Sequence, residues 1–225
     1  MAGLDLTGRK YLVTGASSGI GQAAAVLISK LGGRVILNGR NEERLAQTRT
    51  QMEGEGHHVM PFDLADLEHI KDYMDLCLKA DNTRLDGVVF AAGVGGGNAF
   101  RAENLDNVQR MMQVNFLPYF SVLKACSSRR VLNDGGSIVA VSSRAAEKPD
   151  KAQVGYASSK AALDSASQVA ALEFSKRKVR VNTVRPEMVD TPMSAAFFEK
   201  VPPEQQEEFY PLGLLTAEDV ANTIV

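Results

Sequence analysis

The stretch Thr14-Gly15-Ala16-Ser17-Ser18-Gly19-Ile20-Gly21 follows a short apolar run at residues 11–13 and precedes an alanine-rich segment with helical periodicity. Glycines between a first strand and a first helix let the backbone turn sharply, and free N–H groups at the helix N-terminus bind an anion. The position predicts a dinucleotide-binding turn, although the glycine spacing differs from G-x-G-x-x-G, and a plain tight turn is the alternative. The candidate cofactor-binding residues here are Gly15, Ser17, Ser18, Gly19, Ile20 and Gly21.

Short apolar runs alternate with longer amphipathic segments along the rest of the chain. The predicted strands are 11–13, 34–37, 58–62, 87–91, 137–141 and 180–184. The predicted helices are 18–31, 42–52, 104–127, 156–176 and one that begins after Asp66 as its N-cap. Strands 87–91 and 137–141 lack alternation, which is typical of strands inside a parallel sheet. The sequence therefore predicts an α/β fold, a Rossmann-like doubly wound parallel sheet flanked by helices, in a single domain spanning residues 1–225.

Composition and charge exclude several classes of function. With 225 residues and a formal net charge of −2, the chain has no basic field to attract nucleic acid or an anionic membrane. Residues 1–10 contain no long apolar run, so neither a signal peptide nor a membrane anchor is predicted. Cys77 and Cys126 lack metal-ligand spacing, and His57 and His58 have no third ligand nearby, so no metal site is predicted. Two separated thiols favour a reduced, cytoplasmic setting.

The segment after the second predicted strand indicates which dinucleotide is bound. It reads Leu37-Asn38-Gly39-Arg40-Asn41 and has no carboxylate to bind the adenosine ribose. Arg40 can pair with a ribose 2′-phosphate, which a carboxylate would repel, and Ser17 can add a hydroxyl donor. NADP(H) is therefore favoured, with NAD(H) as the alternative cofactor. The alternative for Arg40 is a solvated side chain that binds no ligand. Asp63, after the third predicted strand, is either a hydrogen-bond acceptor for the adenine amino group or a turn residue.

The segment Tyr156-Ala157-Ser158-Ser159-Lys160 opens an alanine-rich helix and places its phenol and ammonium on one face. A phenol with a pKa of about 10 is a poor acid–base catalyst at neutral pH. A nearby ammonium favours the phenolate, so we expect Lys160 to lower the pKa of Tyr156. A surface pair is the alternative, but a strand ending in Ser142-Ser143 precedes this helix, and strand ends in open α/β sheets border the ligand crevice.

These motifs together resemble the short-chain dehydrogenase/reductase family, in its branch of about 250 residues. Thr14-Gly15-x-x-x-Gly19-x-Gly21 matches the cofactor turn of that family, and Tyr156-x-x-x-Lys160 matches its active-site motif. Ser143 and Asn115 match its two further catalytic residues. Pro186 and Thr191 match the loop that holds the nicotinamide. The resemblance covers essentially the whole chain, with the motifs in the right order.

The resemblance implies an oxidoreductase that transfers hydride between NADP(H) and a carbonyl or secondary alcohol, with a 3-oxoacyl-thioester reductase as one option. Tyr156 would exchange the proton, Lys160 would lower the pKa of Tyr156 and hold the ribose, Ser143 would bind the substrate oxygen, and Asn115 would anchor a relay water. A homodimer or homotetramer is implied. A non-catalytic nucleotide-binding scaffold or redox sensor is the alternative, and nucleotide-sugar epimerase chemistry a third. Further implied cofactor contacts are Asp63, Leu64, Ala92, Gly93, Tyr156, Lys160, Pro186, Val189 and Thr191.

Pro118 lies inside the helix predicted at 104–127 and cannot donate a hydrogen bond to the carbonyl of Val114. We therefore expect a kink that frees a carbonyl at Val114 or Asn115 for a relay water.

Three departures from the family pattern carry expectations of their own. Phe90 stands where the family has asparagine, and we expect a change in core packing. Glu187 replaces the glycine after Pro186, and it either alters the geometry of the loop, recognises a substrate cation or hydroxyl, or points to solvent. A helix start at residues 216–219 precedes the end of the chain at Val225, so the final helix and seventh strand of the family are expected to be missing. Residues 193–212 are predicted to form a lid. Its Met193, Phe197, Phe198, Phe209 and Tyr210 are available for apolar contacts with a substrate, or simply pack the lid onto the body, which is favoured for at least half of them.

Overall fold

Six parallel strands form one sheet in the order β3-β2-β1-β4-β5-β6 within the part of the chain that the structure describes. The structure is a computed structural model and describes residues 4–198 and 203–225. The strands are β1 Lys10–Thr14, β2 Arg34–Leu37, β3 His58–Val59, β4 Leu85–Phe90, β5 Leu132–Val141 and β6 Arg180–Val184. The predicted doubly wound parallel sheet is therefore confirmed.

Helices cover both faces of this sheet. They are α1 Gly19–Lys30, α2 Glu42–Thr50, α3 Ile70–Lys79, α4 Leu105–Asn115, α5 Leu117–Cys126, α6 Val154–Phe174, α7 Pro192–Phe198, α8 Pro203–Phe209 and α9 Ala217–Ile224. The helix start predicted near residue 216 is confirmed, because the Thr216 and Asp219 side chains form a reciprocal capping box. None of the helices in the described ranges is long and apolar enough to cross a membrane.

The core has two layers, one on each face of the sheet, because successive strand side chains point in opposite directions. In β1, Leu12 packs with α3, α5 and α6, whereas Val13 packs with α1, α2 and α9. In β4, Phe90 joins the first layer and Val89 the second. Both faces are thus buried, which explains why the central strands are apolar throughout.

The sheet order reverses between β1 and β4, and this reversal positions the site. β1 pairs with β2 on one side and with β4 on the other, so the connections leave the two halves of the sheet in opposite directions. A crevice forms at the carboxyl ends of the strands at such a switch point, and ligands bind there. The glycine-rich turn follows β1 at this crevice.

Two predicted element boundaries are wrong near the third strand. The strand ends at Val59 instead of Phe62, although the backbone N–H of Phe62 still donates to the carbonyl of Gly39. Asp66 is not an N-cap, because α3 begins only at Ile70 and the Asp66 carboxylate instead contacts Nδ1 of His69. A turn at Asp63, whose carboxylate accepts from the Ala65 N–H, takes up the intervening residues.

Candidate active site

The glycine-rich turn packs directly on the end of β4. Gly15 has a φ of +67°, and an added Cβ there would lie 2.9 Å from the carbonyl carbon of Ala91. Both the φ angle and the close approach exclude a larger side chain. The hydroxyl of Thr14 accepts from the backbone N–H groups of Ala91 and Ala92 at 3.1 Å each. The turn and residues 91–93 therefore form one continuous wall of the crevice.

Helix α1 presents its N-terminus to this crevice. Ser18 occupies the N-cap position in an extended conformation, and its side chain makes no capping bond with any described residue. The first turn of α1 contains no acidic residue. An added Cβ at Gly19 would lie 3.2 Å from Cγ2 of Thr191, so the predicted nicotinamide loop reaches the start of α1. Unpaired N–H groups and the helix dipole give this point affinity for a phosphate.

The predicted adenosine end of the site is open. Arg40 is exposed, and its side chain bonds to none of the other described residues. Oγ of Ser17 lies 3.4 Å from the position of a Cβ at Gly39, so the two predicted 2′-phosphate ligands flank the same turn. Asp63 is exposed, and its carboxylate accepts from Ala65. The Leu64 side chain is buried in the core, so only its backbone faces a ligand.

The helix predicted at 104–127 is broken next to Pro118, where the missing proline N–H predicted a kink. Phe116, at φ −114° and ψ −52°, separates α4 from α5. Hydrogen bonds across the junction run from the N–H of Phe116 to the carbonyl of Met112 and from the N–H of Phe120 to the carbonyl of Phe116. Neither bond uses the carbonyls of Val114 or Asn115. The kink is therefore present beside Asn115.

The side chain of Asn115 is fully buried and connects three segments. Its Oδ1 accepts from the backbone N–H of Val94 at 2.8 Å, and its Nδ2 donates to the carbonyl of Val94 at 3.0 Å. Nδ2 also donates to the hydroxyl of Ser159 at 2.9 Å. Asn115 thus fixes the loop after β4 against α6.

Lys160 lies in the interior beside Asn115 and Gly93. Its Nζ donates to the carbonyl of Val141 at 2.7 Å, and an added Cβ at Gly93 would lie 3.5 Å from Nζ. Burial lowers the pKa of Lys160 to about 8, and the negative charge of Asp164 opposes that shift. A lysine with a pKa near 8 can gain and lose a proton near neutral pH.

Tyr156 lies one helical turn before Lys160, with its ring centroid 5.8 Å from Nζ. Burial raises the pKa of Tyr156, and the side chain of Ser143 opposes that rise through a hydrogen bond. The expectation that Lys160 lowers the pKa of Tyr156 is therefore wrong for this structure. The physical reason is that desolvation of the phenol outweighs the other influences, while the Lys160 ammonium is directed to the Val141 carbonyl.

The predicted nicotinamide loop begins directly after β6 and lies against the Ser143 segment. The N–H of Ser142 donates to the carbonyl of Val184 at 2.8 Å, and the N–H of Arg144 donates to the carbonyl of Pro186 at 3.1 Å. Val189 is buried, and its carbonyl accepts from the hydroxyl of Ser194.

The two side-chain departures from the family pattern have clear environments. Phe90 is fully buried, and its ring contacts that of Tyr119 with centroids 5.1 Å apart, so it fills the sheet core. Glu187 is half exposed but is not a free solvent group, because its carboxylate forms an ion pair with Arg144.

The predicted lid lies partly outside the described residues, which omit 199–202 and the side chain of Phe197. Sδ of Met193 is 3.3 Å from the position of a Cβ at Gly95, so α7 begins against the glycine-rich loop after β4. The rings of Phe198 and Tyr210 meet edge to face, with centroids 6.1 Å apart. Phe209 is exposed.

Comparison with known proteins decides the family. The family model for short chain dehydrogenase matches residues 9–202 of the chain. The chain belongs to the short-chain dehydrogenase/reductase family. It is accordingly an oxidoreductase that acts on CH–OH groups.

Relatives within this family include a 3-oxoacyl-(acyl-carrier-protein) reductase of Rickettsia conorii, 31% identical over 98% of this chain and 89% of that protein. An uncharacterized oxidoreductase of Staphylococcus saprophyticus is 30% identical over 85% of this chain and 82% of that protein. A short chain dehydrogenase of Burkholderia cenocepacia, solved in complex with NADP, is similar in structure. It has a TM-score of 0.87 and 29% identity, over 97% of this chain and 89% of that one.

Several polar residues of this dehydrogenase/reductase site were missed from the sequence. Ser159 accepts a hydrogen bond from Asn115, and the charge of Asp164 acts on Lys160. Arg144 pairs with Glu187 of the nicotinamide loop, and Arg185, at the start of that loop, contacts Asp164. The spacing of Tyr156, Lys160 and Asp164 at four-residue intervals was a signal for Asp164, since such residues share a helix face. The contacts of Arg144 and Arg185 join segments that are far apart in the sequence, so no local spacing could have indicated them.

Proposed function

We propose that this chain is an NADP(H)-dependent oxidoreductase that transfers hydride between the nicotinamide and a carbonyl or secondary alcohol, with Tyr156 as the acid–base residue. The observation that carries the proposal is the position of Lys160. It is buried, it is bound to a backbone carbonyl, and it lies beside Gly93 and one turn from Tyr156.

The residues present fit a dinucleotide. Gly15 and Gly19 let the turn approach Ala91 and Thr191 closely, and the α1 N-terminus offers unpaired N–H groups to a pyrophosphate. Gly93 keeps the space next to Lys160 clear, because a Cβ there would crowd Asn115 and Lys160. Residues that would hold the cofactor are Gly15, Ser17, Ser18, Gly19, Ile20, Gly21, Arg40, Asp63, Leu64, Ala92, Gly93, Tyr156, Lys160, Pro186, Val189 and Thr191.

When bound, the nicotinamide supplies or accepts the hydride. The Tyr156 hydroxyl donates its proton to the carbonyl oxygen during reduction and removes a proton from the alcohol in the reverse direction. The raised pKa of Tyr156 keeps the phenol protonated at neutral pH, which suits the reductive direction. Ser143 hydrogen-bonds the same substrate oxygen and so orients it.

Lys160 and Asn115 complete the proton supply. The lowered pKa of Lys160 allows it to return a proton towards Tyr156 near pH 8. Asn115 uses its own side chain to hold Val94 and Ser159, so its part in a relay falls to the carbonyls freed at the helix break. We assign Asn115 a backbone role because its amide oxygen and its amide nitrogen are both already bonded to protein groups.

NADP(H) is preferred because Arg40 and Ser17 flank the turn after β2, and no carboxylate lies between residues 38 and 41. A guanidinium without an internal partner is available to a phosphate. The relatives support this choice, since the Burkholderia enzyme is in complex with NADP. A 3-oxoacyl thioester is the first substrate to test, given the name of the Rickettsia relative.

The test is a fluorescence titration with NADPH and, separately, NADH, using wild type and Arg40→Ala. We expect wild type to prefer NADPH and the variant to lose that preference by about tenfold or more, the value of one charge-assisted contact. Arg130→Ala is the matched control, since Arg130 is also exposed but lies before β5 at the other end of the sheet. Tighter binding of NADH by wild type would contradict the cofactor assignment.

Turnover separates an enzyme from a scaffold. NADPH oxidation with a panel of carbonyl compounds should be abolished by Tyr156→Phe while NADPH binding persists. Tight cofactor binding with no turnover of any carbonyl or alcohol would instead favour the non-catalytic scaffold or sensor.

We also propose that residues 1–225 act as one cytoplasmic domain that assembles as a homodimer or homotetramer and binds neither nucleic acid nor membrane. Large apolar side chains exposed on the helices after β4 and before β6 support assembly: Leu105, Phe120, Val169 and Leu172. Light scattering of the purified protein measures the assembly directly, and a monomer at all concentrations would contradict it.

A further inference from the structure

The two residues that flank Pro186 are both held by ion pairs. Arg185 contacts Asp164 through Nε at 2.7 Å and Glu147 through Nη1 at 3.1 Å. Glu187 contacts Nε of Arg144. The first turn of the proposed nicotinamide loop is thus attached on one side to α6 and on the other to the segment that follows Ser143.

Arg144 makes this attachment with both its backbone and its side chain. Its N–H donates to the carbonyl of Pro186, and its guanidinium contacts Glu187, Asp150 at 2.6 Å and the carbonyl of Lys148 at 2.8 Å. A guanidinium bonded in three directions has little rotational freedom left. Arg144 is therefore a fixed point one residue after Ser143.

The attachment through Arg185 has a different physical basis. Asp164 is 5% exposed and lies one turn after Lys160 on α6. One of its oxygens contacts Arg185, and the other has no hydrogen-bond partner among the described residues. A buried carboxylate requires a cation, so the Asp164–Arg185 contact is a permanent anchor. The Glu187–Arg144 contact is half exposed and can be removed separately.

We infer that Glu187 and Arg144 are positioning residues, whose ion pair sets the Pro186 turn against Ser143 and so holds the proposed nicotinamide loop in register with the catalytic residues. A glycine at position 187 has no side chain for this contact. Half-exposed ion pairs contribute little to folding stability, but small displacements of a reacting group cost a large part of the rate. The pair therefore acts on turnover more than on stability. The inference rests on the proposed function.

The test compares Glu187→Gln with Asp75→Asn, which removes a carboxylate of similar exposure from the Lys71–Asp75 pair on the outer face of α3. We expect Glu187→Gln to lower kcat by about tenfold with KM and the melting temperature nearly unchanged. Asp75→Asn should stay within about twofold of wild type. Arg144→Gln combined with Glu187→Gln should be no slower than Arg144→Gln alone, because the two residues act through one contact.

Hydrogen exchange supplies a readout that needs neither cofactor nor turnover. In Glu187→Gln, exchange should accelerate together in peptides covering 142–150 and 185–191, and not in α3. Unchanged exchange in both peptides, or a kcat equal to that of Asp75→Asn, overturns the positioning role while leaving the proposed function intact. If wild type binds neither NADPH nor NADH, the proposed function fails and the positioning role falls with it.

Discussion

Two lysines of the described residues are buried, at opposite ends of the sheet, and their surroundings differ in kind. Lys10, at the start of β1, is 1% exposed and contacts the Asp81 carboxylate and the carbonyls of Cys77 and Thr83. Arg34 contacts the second oxygen of Asp81. Lys160, at the carboxyl ends of the strands, is 5% exposed and bonds to the carbonyl of Val141, and it forms no ion pair with a carboxylate in the described part of the chain.

The difference shows how one residue type serves two purposes. A buried ammonium paired with a carboxylate holds strands and helices together. A buried ammonium that contacts only a carbonyl keeps most of its desolvation penalty, and its pKa falls towards neutral pH. The ion pair of Lys10 therefore stabilises the amino end of the sheet. At the carboxyl end, the surroundings of Lys160 stabilise its charged form poorly, so Lys160 can give up its proton.

The largest expected effect is on activity at the carboxyl end. Lys160→Met should lower kcat/KM by about 10²–10⁴-fold, the usual contribution of positioned acid–base groups, while the protein stays folded. Steady-state kinetics beside circular dichroism measure both properties. Lys71→Met, at an exposed lysine of α3, is the control and should remain fully active.

The second effect is on stability at the amino end. Asp81→Asn leaves Lys10 buried without a counter-charge and should lower the free energy of unfolding by about 3 kcal/mol, with activity per folded molecule unchanged. Urea denaturation measures this loss. A loss equal to that of Asp75→Asn would show that the Lys10 pair is not a structural anchor.

Acid titration tests the same group. Burial acts to raise the pKa of Asp81, but hydrogen bonds from Lys10 and Thr83 outweigh it and lower the pKa overall. The carboxylate thus adds stability above its unfolded pKa, and that contribution is lost as pH falls below about 4. In Asp81→Asn this part of the acid dependence should disappear.

The third effect concerns the pH dependence of stability at Lys160. Its folded pKa of about 8 lies below the ordinary value of 10.5, so the unfolded chain binds more protons between these values. Stability should therefore rise with pH above 8, by about 1.5 kcal/mol up to pH 9.5, and this rise should be absent from Lys160→Met. Urea denaturation of both proteins at pH 8 and 9.5 measures the difference. Parallel curves for the two proteins would contradict the lowered pKa.

The smallest expected effect is on folding stability, through backbone strain at one residue near each end of the sheet. Ala152, before α6, has a φ of +64°, and Asn82, beside Asp81, has a φ of +54°. Asparagine tolerates the left-handed region and alanine does not. Ala152→Gly should therefore stabilise the protein by about 0.5 kcal/mol, while Asn82→Gly should be neutral or slightly destabilising. Thermal unfolding of the two variants, side by side, decides between these outcomes.

Much of the fold was predictable from local pattern. The strands at 34–37 and 180–184 were placed correctly because apolar runs between turn signals have few alternatives. The break at Phe116 followed from Pro118, whose missing N–H acts within one turn. The third strand was predicted three residues too long, and the start of α3 was misplaced because the turn at Asp63 and the contact of Asp66 with His69 compete with the simple pattern.

The sequence by itself determined the fold class, the glycine-rich turn and the Tyr156–Lys160 face, since these depend on spacing along one helix or one turn. Only the tertiary structure decided the electrostatics. The partners of Lys160, Glu187 and Lys10 come from segments 19, 43 and 71 residues away. Which of two buried lysines meets a carboxylate, and hence which can exchange a proton, depends on chain segments that approach only after folding.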